Sequence, residues 1–115
     1  MKTVSTLSLA AALFLSACAT VPNSERVTLL QRRVSPELYH KVISQKPLSE
    51  ADVIELSRRG LPNSSIIYYI YITKSYYSLT RADVRRLERK GVSGDVVSFM
   101  VDNKPRSLIT AFFDL

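Results

Sequence analysis

Tryptophan is absent from this chain, and cysteine and histidine occur once each, at Cys18 and His40. A single cysteine excludes an internal disulfide, so side-chain packing has to hold the fold. One cysteine and one histidine far apart form no ligand cluster, so no transition-metal site is implied. Only three glycines occur, Gly60, Gly91 and Gly94, which leaves no glycine-rich loop to cradle a phosphate. Those glycines and five prolines are too few for a fibrous or disordered chain. Serine, histidine and aspartate are scattered, without a nucleophile motif, so the chain reads as non-enzymatic and without a cofactor. No apolar run reaches the ~20 residues that cross a bilayer as a helix.

The longest early apolar run, Leu7 to Leu15, carries no charge and follows Met1 and Lys2, a short positive start. That length suits the apolar region of an export signal, and the small residues Ser16, Ala17, Cys18 and Ala19 come directly behind it. Leu15-Ser16-Ala17-Cys18 resembles the lipobox of bacterial lipoproteins. The resemblance covers the first 20 residues and is specific, because the cysteine must follow small residues behind an apolar run. It implies that the Cys18 sulfur receives a diacylglycerol, that a peptidase cuts just before Cys18, and that the chain is held to a lipid bilayer through the acylated cysteine. Position 19 is Ala, not Asp, which by resemblance to Gram-negative sorting favours the periplasmic face of the outer membrane over the inner membrane. In a Gram-positive cell the same signal leaves the protein on the outer face of the plasma membrane. A rival reading uses the same residues. Ala17-Cys18-Ala19 also fits an ordinary secretory cleavage site, which would give a freely secreted protein. Lipidation is preferred because the only cysteine sits where lipidation needs it.

The formal net charge is +6. The chain divides into a signal at 1–17, a lipidated cysteine and polar tether at 18–28, and one helical domain at 29–115. Inside that domain the strongest signal is a duplication, in which residues 48–70 align without gaps on residues 79–101. Identical pairs are Leu48/Leu79, Ala51/Ala82, Asp52/Asp83, Val53/Val84, Leu56/Leu87, Arg58/Arg89 and Gly60/Gly91. Self-similarity at a fixed period marks a repeated supersecondary unit. Ser49 and Thr80 are good helix caps, and Asp52 and Asp83 follow three residues later, as a capping box requires. Val53 and Leu56, or Val84 and Leu87, begin an apolar stripe at helical spacing. Gly60 and Gly91 suit the left-handed residue that ends a helix. A second helix restarts at once, capped by Ser93 in the second copy and by Asn63 in the first. Upstream, Val34-Ser35-Pro36-Glu37-Leu38 matches the start of that second helix, a half unit with Ser35 as cap. The expectation is an all-α bundle of about five short helices near 35–45, 49–59, 63–73, 80–90 and 93–103, with room for one more at 26–32.

The string Leu-Thr-x-x-Asp-Val-x-x-Leu-x-x-x-Gly-Val-Ser, read from Leu79 on, resembles paired helical motifs of small bacterial envelope lipoproteins of unassigned function. That resemblance spans roughly residues 33–103 and implies a fold and an envelope setting, with no catalytic residues to carry over. Lys74-Ser75 departs from it, standing where a glycine is expected to end a helix.

Two groups of residues are candidates for contact with a partner. Ile66 to Ile72 is the most apolar stretch after the signal, and Tyr76-Tyr77 follow it. Its β-branched and aromatic residues favour a strand by propensity, but its repeat partner, Val96 to Val101, reads as helical, so helix is expected here too. Most of the stretch is expected in the core, with Tyr69, Tyr71 and Tyr76 as the exposed rings, since tyrosine is favoured at interfaces. Arg81, Arg85 and Arg89 fall at helical spacing where the first copy has Glu50, Ile54 and Arg58. They form a solvated face, or a contact for anionic lipid, a cell-wall polymer or another envelope protein. Nucleic acid is disfavoured, because export removes the chain from it. The tail Ser107 to Leu115 is apolar and either closes the bundle or binds a partner. The functional reading is therefore a membrane-anchored interaction or scaffolding module. The alternative is a secreted cationic, membrane-active or toxin-like protein.

Overall fold

A computed structural model describes residues 21–105. Among these residues the only regular elements are six helices: α1 (Asn23–Gln31), α2 (Pro36–Ile43), α3 (Glu50–Arg58), α4 (Asn63–Ile72), α5 (Arg81–Arg89) and α6 (Gly94–Asp102). The all-α expectation holds, and Ile66 to Ile72 is helical as its repeat partner demanded. Each helix is about three turns long, too short to be stable alone in water, so the helices exist because they pack.

Local chemistry sets the boundaries. Both capping boxes form. The Ser49 hydroxyl accepts from the Asp52 N–H while the Asp52 carboxylate accepts from the Ser49 N–H, and Thr80 and Asp83 repeat the arrangement. Ser35 and Ser93 cap α2 and α6. Asn63 does not cap α4. It is the first helical residue, and Pro62 holds the cap position with no side-chain hydrogen bond. Proline's fixed φ presets the chain direction there without one.

Five helices end alike. A residue with positive φ follows the helix, at Arg33, Gln45, Gly60, Lys74 and Gly91. The next N–H then reaches back five residues: Val34 to the Leu29 carbonyl at 3.4 Å, Lys46 to Lys41 at 2.8 Å, Leu61 to Leu56 at 3.2 Å, Ser75 to Ile70 at 3.1 Å and Val92 to Leu87 at 3.0 Å. This is the Schellman closure, which satisfies the last carbonyls of a helix. At the three turns inside helix pairs the closing residues are apolar on both sides, and Leu29/Val34, Leu56/Leu61 and Leu87/Val92 all lie in the core.

The upstream half unit is therefore a full unit. The pairs α1–α2, α3–α4 and α5–α6 are each packed together, and α4 also packs on α6. The helical domain begins earlier than the sequence suggested. Residues 23–28, assigned to a tether, form most of α1, and Val21 ahead of it is buried. The core is one cluster built from every pair, including Leu29, Leu38, Val53, Ile66, Leu87 and Met100.

Polar links between segments distant in sequence add to the packing. The Glu55 carboxylate on α3 accepts from the Ser35 N–H at 2.7 Å and its hydroxyl at 3.2 Å, which satisfies the start of α2. The Tyr69 hydroxyl on α4 donates to Glu25 on α1 at 2.7 Å. Leu48, just before α3, is held from both sides by the segment after α4. Its N–H donates to Ser75 Oγ at 2.8 Å, and its carbonyl accepts from the Tyr77 hydroxyl at 2.8 Å. Thr73 Oγ1 lies 2.6 Å from both Ser75 Oγ and the Tyr69 carbonyl. That carbonyl can only accept, so the Thr73 proton goes to it and the Ser75 proton goes to Thr73.

Candidate functional site

Of the three rings expected at the surface, two are there. Tyr71 is 67% exposed and Tyr76 43%. Tyr69 is fully buried and is withdrawn from the contact surface. The reason is α1, which the sequence did not place over α4 and whose Glu25 accepts the Tyr69 proton. Burial, and then the Glu25 carboxylate, push the Tyr69 phenol well above its ordinary range. Tyr77 is also buried, and burial pushes its phenol up to about 12.

Tyr71 and Tyr76 share a cleft of about 370 Å³ with Lys74, Asn103 and Lys104. The cleft is built where two helices end. Lys74 takes the left-handed position after α4, at φ 51°, and so turns the chain toward Tyr76. Asn103 donates to the Ser75 carbonyl at 3.3 Å, and the Lys104 ammonium donates to the Tyr77 carbonyl at 2.8 Å. These two bonds pin the chain beyond α6 to the segment beyond α4. Lys74 and Lys104 were not singled out in the sequence. The only sign of Lys74 was that it stood in place of a glycine.

The arginines of α5 divide into two kinds. Arg86 is structural, donating to Asp83 one turn back at 2.9 Å and to Glu50 on α3. Hydrogen bonding to Asp83 pushes the Arg86 guanidinium up, and the Thr80 N–H ahead of Arg86 holds the Asp83 carboxyl below the usual range. Arg81, Arg85 and Arg89 are exposed and take part in no ion pair or hydrogen bond among the described residues. Arg81 and Arg85 line a shallow groove of about 310 Å³ with Leu79, Thr80, Val84 and Val101. Arg89 lies a turn further along α5, outside that lining. The groove and the Tyr71–Tyr76 cleft adjoin. Leu79 in one and Tyr76 in the other belong to the same connecting segment, and Val101 and Asn103 both lie at the C-terminal end of α6.

No family model, curated protein or solved structure matches the chain. What the surface can do therefore follows from its own chemistry. It offers cations, phenols and a strip of aliphatic carbon, groups suited to binding. Five carboxylates, Glu25, Glu50, Asp52, Glu55 and Asp83, are committed to bonds within the fold. Burial acts to raise the Asp52 carboxyl, but the Lys41 ammonium at 2.7 Å and the Ser49 N–H and hydroxyl outweigh it and hold it below the usual range. Among the described residues no helix is long and apolar enough to cross a membrane. Cys18 and the tail Ser107 to Leu115 lie outside the described residues.

Proposed function

We propose that the chain is a bacterial envelope lipoprotein, held to a membrane by acylated Cys18, whose helical domain is a non-enzymatic interaction module. The observation that carries this is Leu15-Ser16-Ala17-Cys18 directly behind an uncharged apolar run, with the chain's single cysteine at the acceptor position. Stable anchoring takes more than one acyl chain, and diacylglycerol on a single cysteine supplies two. Ala19 favours the outer membrane. An interaction role is supported by the surface of Tyr71, Tyr76, Arg81 and Arg85, which presents binding groups without a nucleophile. Its partner is the membrane itself, an envelope protein or a cell-wall polymer. The test is metabolic labelling with a radioactive fatty acid in a bacterial host, followed by fractionation. Wild type should be labelled and sediment with membranes, and Cys18→Ser should be unlabelled and leave them. A wild-type protein that is exported but carries no label overturns the lipoprotein reading in favour of a secreted cationic protein.

A further inference from the structure

We infer that the folded domain makes a second membrane contact of its own, in which the surface around the C-terminal end of α6 docks on anionic phospholipid headgroups. The inference rests on the envelope setting for its bilayer but does not involve the acyl group.

Three observations converge on this surface. First, none of the residues lining the groove or the adjoining cleft is acidic, while Arg81, Arg85, Lys74 and Lys104 are all among them. Two comparable depressions elsewhere each contain a carboxylate, Glu55 beside Arg58 and Arg59, and Glu37 beside Lys41 and Lys46. The nearby acidic groups include Asp102, exposed on the last turn of α6, Glu88, exposed one turn beyond Arg85 on α5, and Asp83, already committed to Arg86.

Second, the charge is specific to one copy of the repeat. Arg81 and Arg85 stand where the preceding unit has Glu50 and Ile54, although both helices share the same cap, core leucine and closing glycine. The fold does not need these arginines, since the preceding unit builds the same helix without them. A guanidinium matches phosphate oxygens in a two-pronged geometry, and each cation near an anionic membrane adds to binding.

Third, the cations are interleaved with side chains that belong at a bilayer interface. Tyr71 and Tyr76 present rings with polar tips, and Val101, 40% exposed, lines the groove with the arginines. Tyrosine concentrates at headgroup depth, where one end of the ring is apolar and the other wet. The groove lined by Arg81 and Arg85 is shallow and open, which suits a broad charged plane better than a small molecule.

The experiment uses the chain from residue 18 onward with Cys18→Ser, so that no acyl chain contributes and every described residue is kept. It measures co-sedimentation with vesicles of phosphatidylcholine, with or without phosphatidylglycerol. Binding is expected only to vesicles containing phosphatidylglycerol and should weaken as salt rises. Arg81→Gln with Arg85→Gln should lower partitioning by about thirtyfold, at the usual contribution of a cation near an anionic surface. Lys46→Gln with Arg59→Gln removes the same charge elsewhere and should leave partitioning nearly unchanged. Tyr71→Ala with Tyr76→Ala should weaken binding without altering its salt dependence. Absence of binding to phosphatidylglycerol, equal binding to phosphatidylcholine alone, or an equal loss in both charge pairs overturns the inference. None of these outcomes bears on whether Cys18 is acylated, which the labelling experiment decides.

Discussion

Removing one oxygen from Tyr77 tests how the segment after α4 is tied to the start of α3. Tyr77→Phe keeps the ring, which is 8% exposed, and deletes the hydroxyl that donates to the Leu48 carbonyl at 2.8 Å. Leu48 is itself only 3% exposed, so water cannot easily replace the lost donor. An acceptor stranded in this way costs about 1–3 kcal/mol. For a domain of this size class each kcal/mol moves Tm by about 4–8 °C, so a fall of roughly 4 to 24 °C is expected. Thermal unfolding followed by circular dichroism measures it. The pH dependence gives a second readout. Burial raises the Tyr77 phenol to about 12 in the folded protein, above the value of about 10 for an unfolded chain. A raised folded value means that the stabilisation is complete below about pH 10 and is lost as pH climbs through about 12. The gap between wild type and Tyr77→Phe should therefore narrow over that window. Ser75→Ala strikes the other side of the same residue by removing the acceptor of the Leu48 N–H. Since both side chains serve one backbone residue, the double variant should cost less than the two single costs combined. An unchanged Tm for Tyr77→Phe, with the same alkaline limb as wild type, would refute the idea that these contacts hold the segment after α4 to the start of α3.

Two further outcomes follow from the backbone and from charge. Gly91→Ala places a side chain at φ 103°, with nothing within 4 Å of the added carbon, so its whole cost is conformational. It should destabilise by about 1–2 kcal/mol, less the smaller gain from a stiffer unfolded chain, as a shifted urea midpoint with unchanged slope; an unmoved midpoint contradicts the left-handed closure. Asp52 is held below its unfolded value by Lys41 and Ser49 against the opposing effect of burial, so its contribution is complete above about pH 4 and disappears as pH falls through the lower folded value. Asp52→Asn should be less stable than wild type at neutral pH and lose less on acidification, measured as the urea midpoint from about pH 6 to pH 2.

How much of this was legible in the sequence depended on how local the chemistry is. A capping box is four consecutive residues, so Ser49–Asp52 and Thr80–Asp83 could be read directly. The glycine closures were readable because φ near 79° at Gly60 and 103° at Gly91 strongly favours glycine. The closures at Arg33, Gln45 and Lys74 were invisible, because residues other than glycine fill them at φ 57°, 55° and 51°, inside the small region a side chain tolerates. The start of the domain was misplaced for a different reason. α1 buries little beyond Leu29, with Leu30 and Val27 exposed, so its sequence lacks the stripe that betrays a packed helix. The sequence leaves room for a helix at 26–32, but with residues 23–28 read as tether Glu25 is not set against Tyr69, so the late start also misplaced that ring.

Comparison of the repeat copies separates structure from function on α5. Where the third pair departs from the second, a new side chain is either absorbed into the fold or left over. Arg86, in the place of Glu55, is absorbed, because Asp83 and Glu50 both reach it and so fasten α5 to α3. The exchange moves one link and creates another, since Glu55 in the second pair fastens α3 to the start of α2. Arg81 and Arg85 are left over, with no carboxylate in their groove and no bond among the described residues. A guanidinium that packing does not use carries no structural reason for its charge. In a module that reuses one helix hairpin three times, such residues are where a binding role should be sought. They adjoin Tyr71 and Tyr76, which the core equally leaves out.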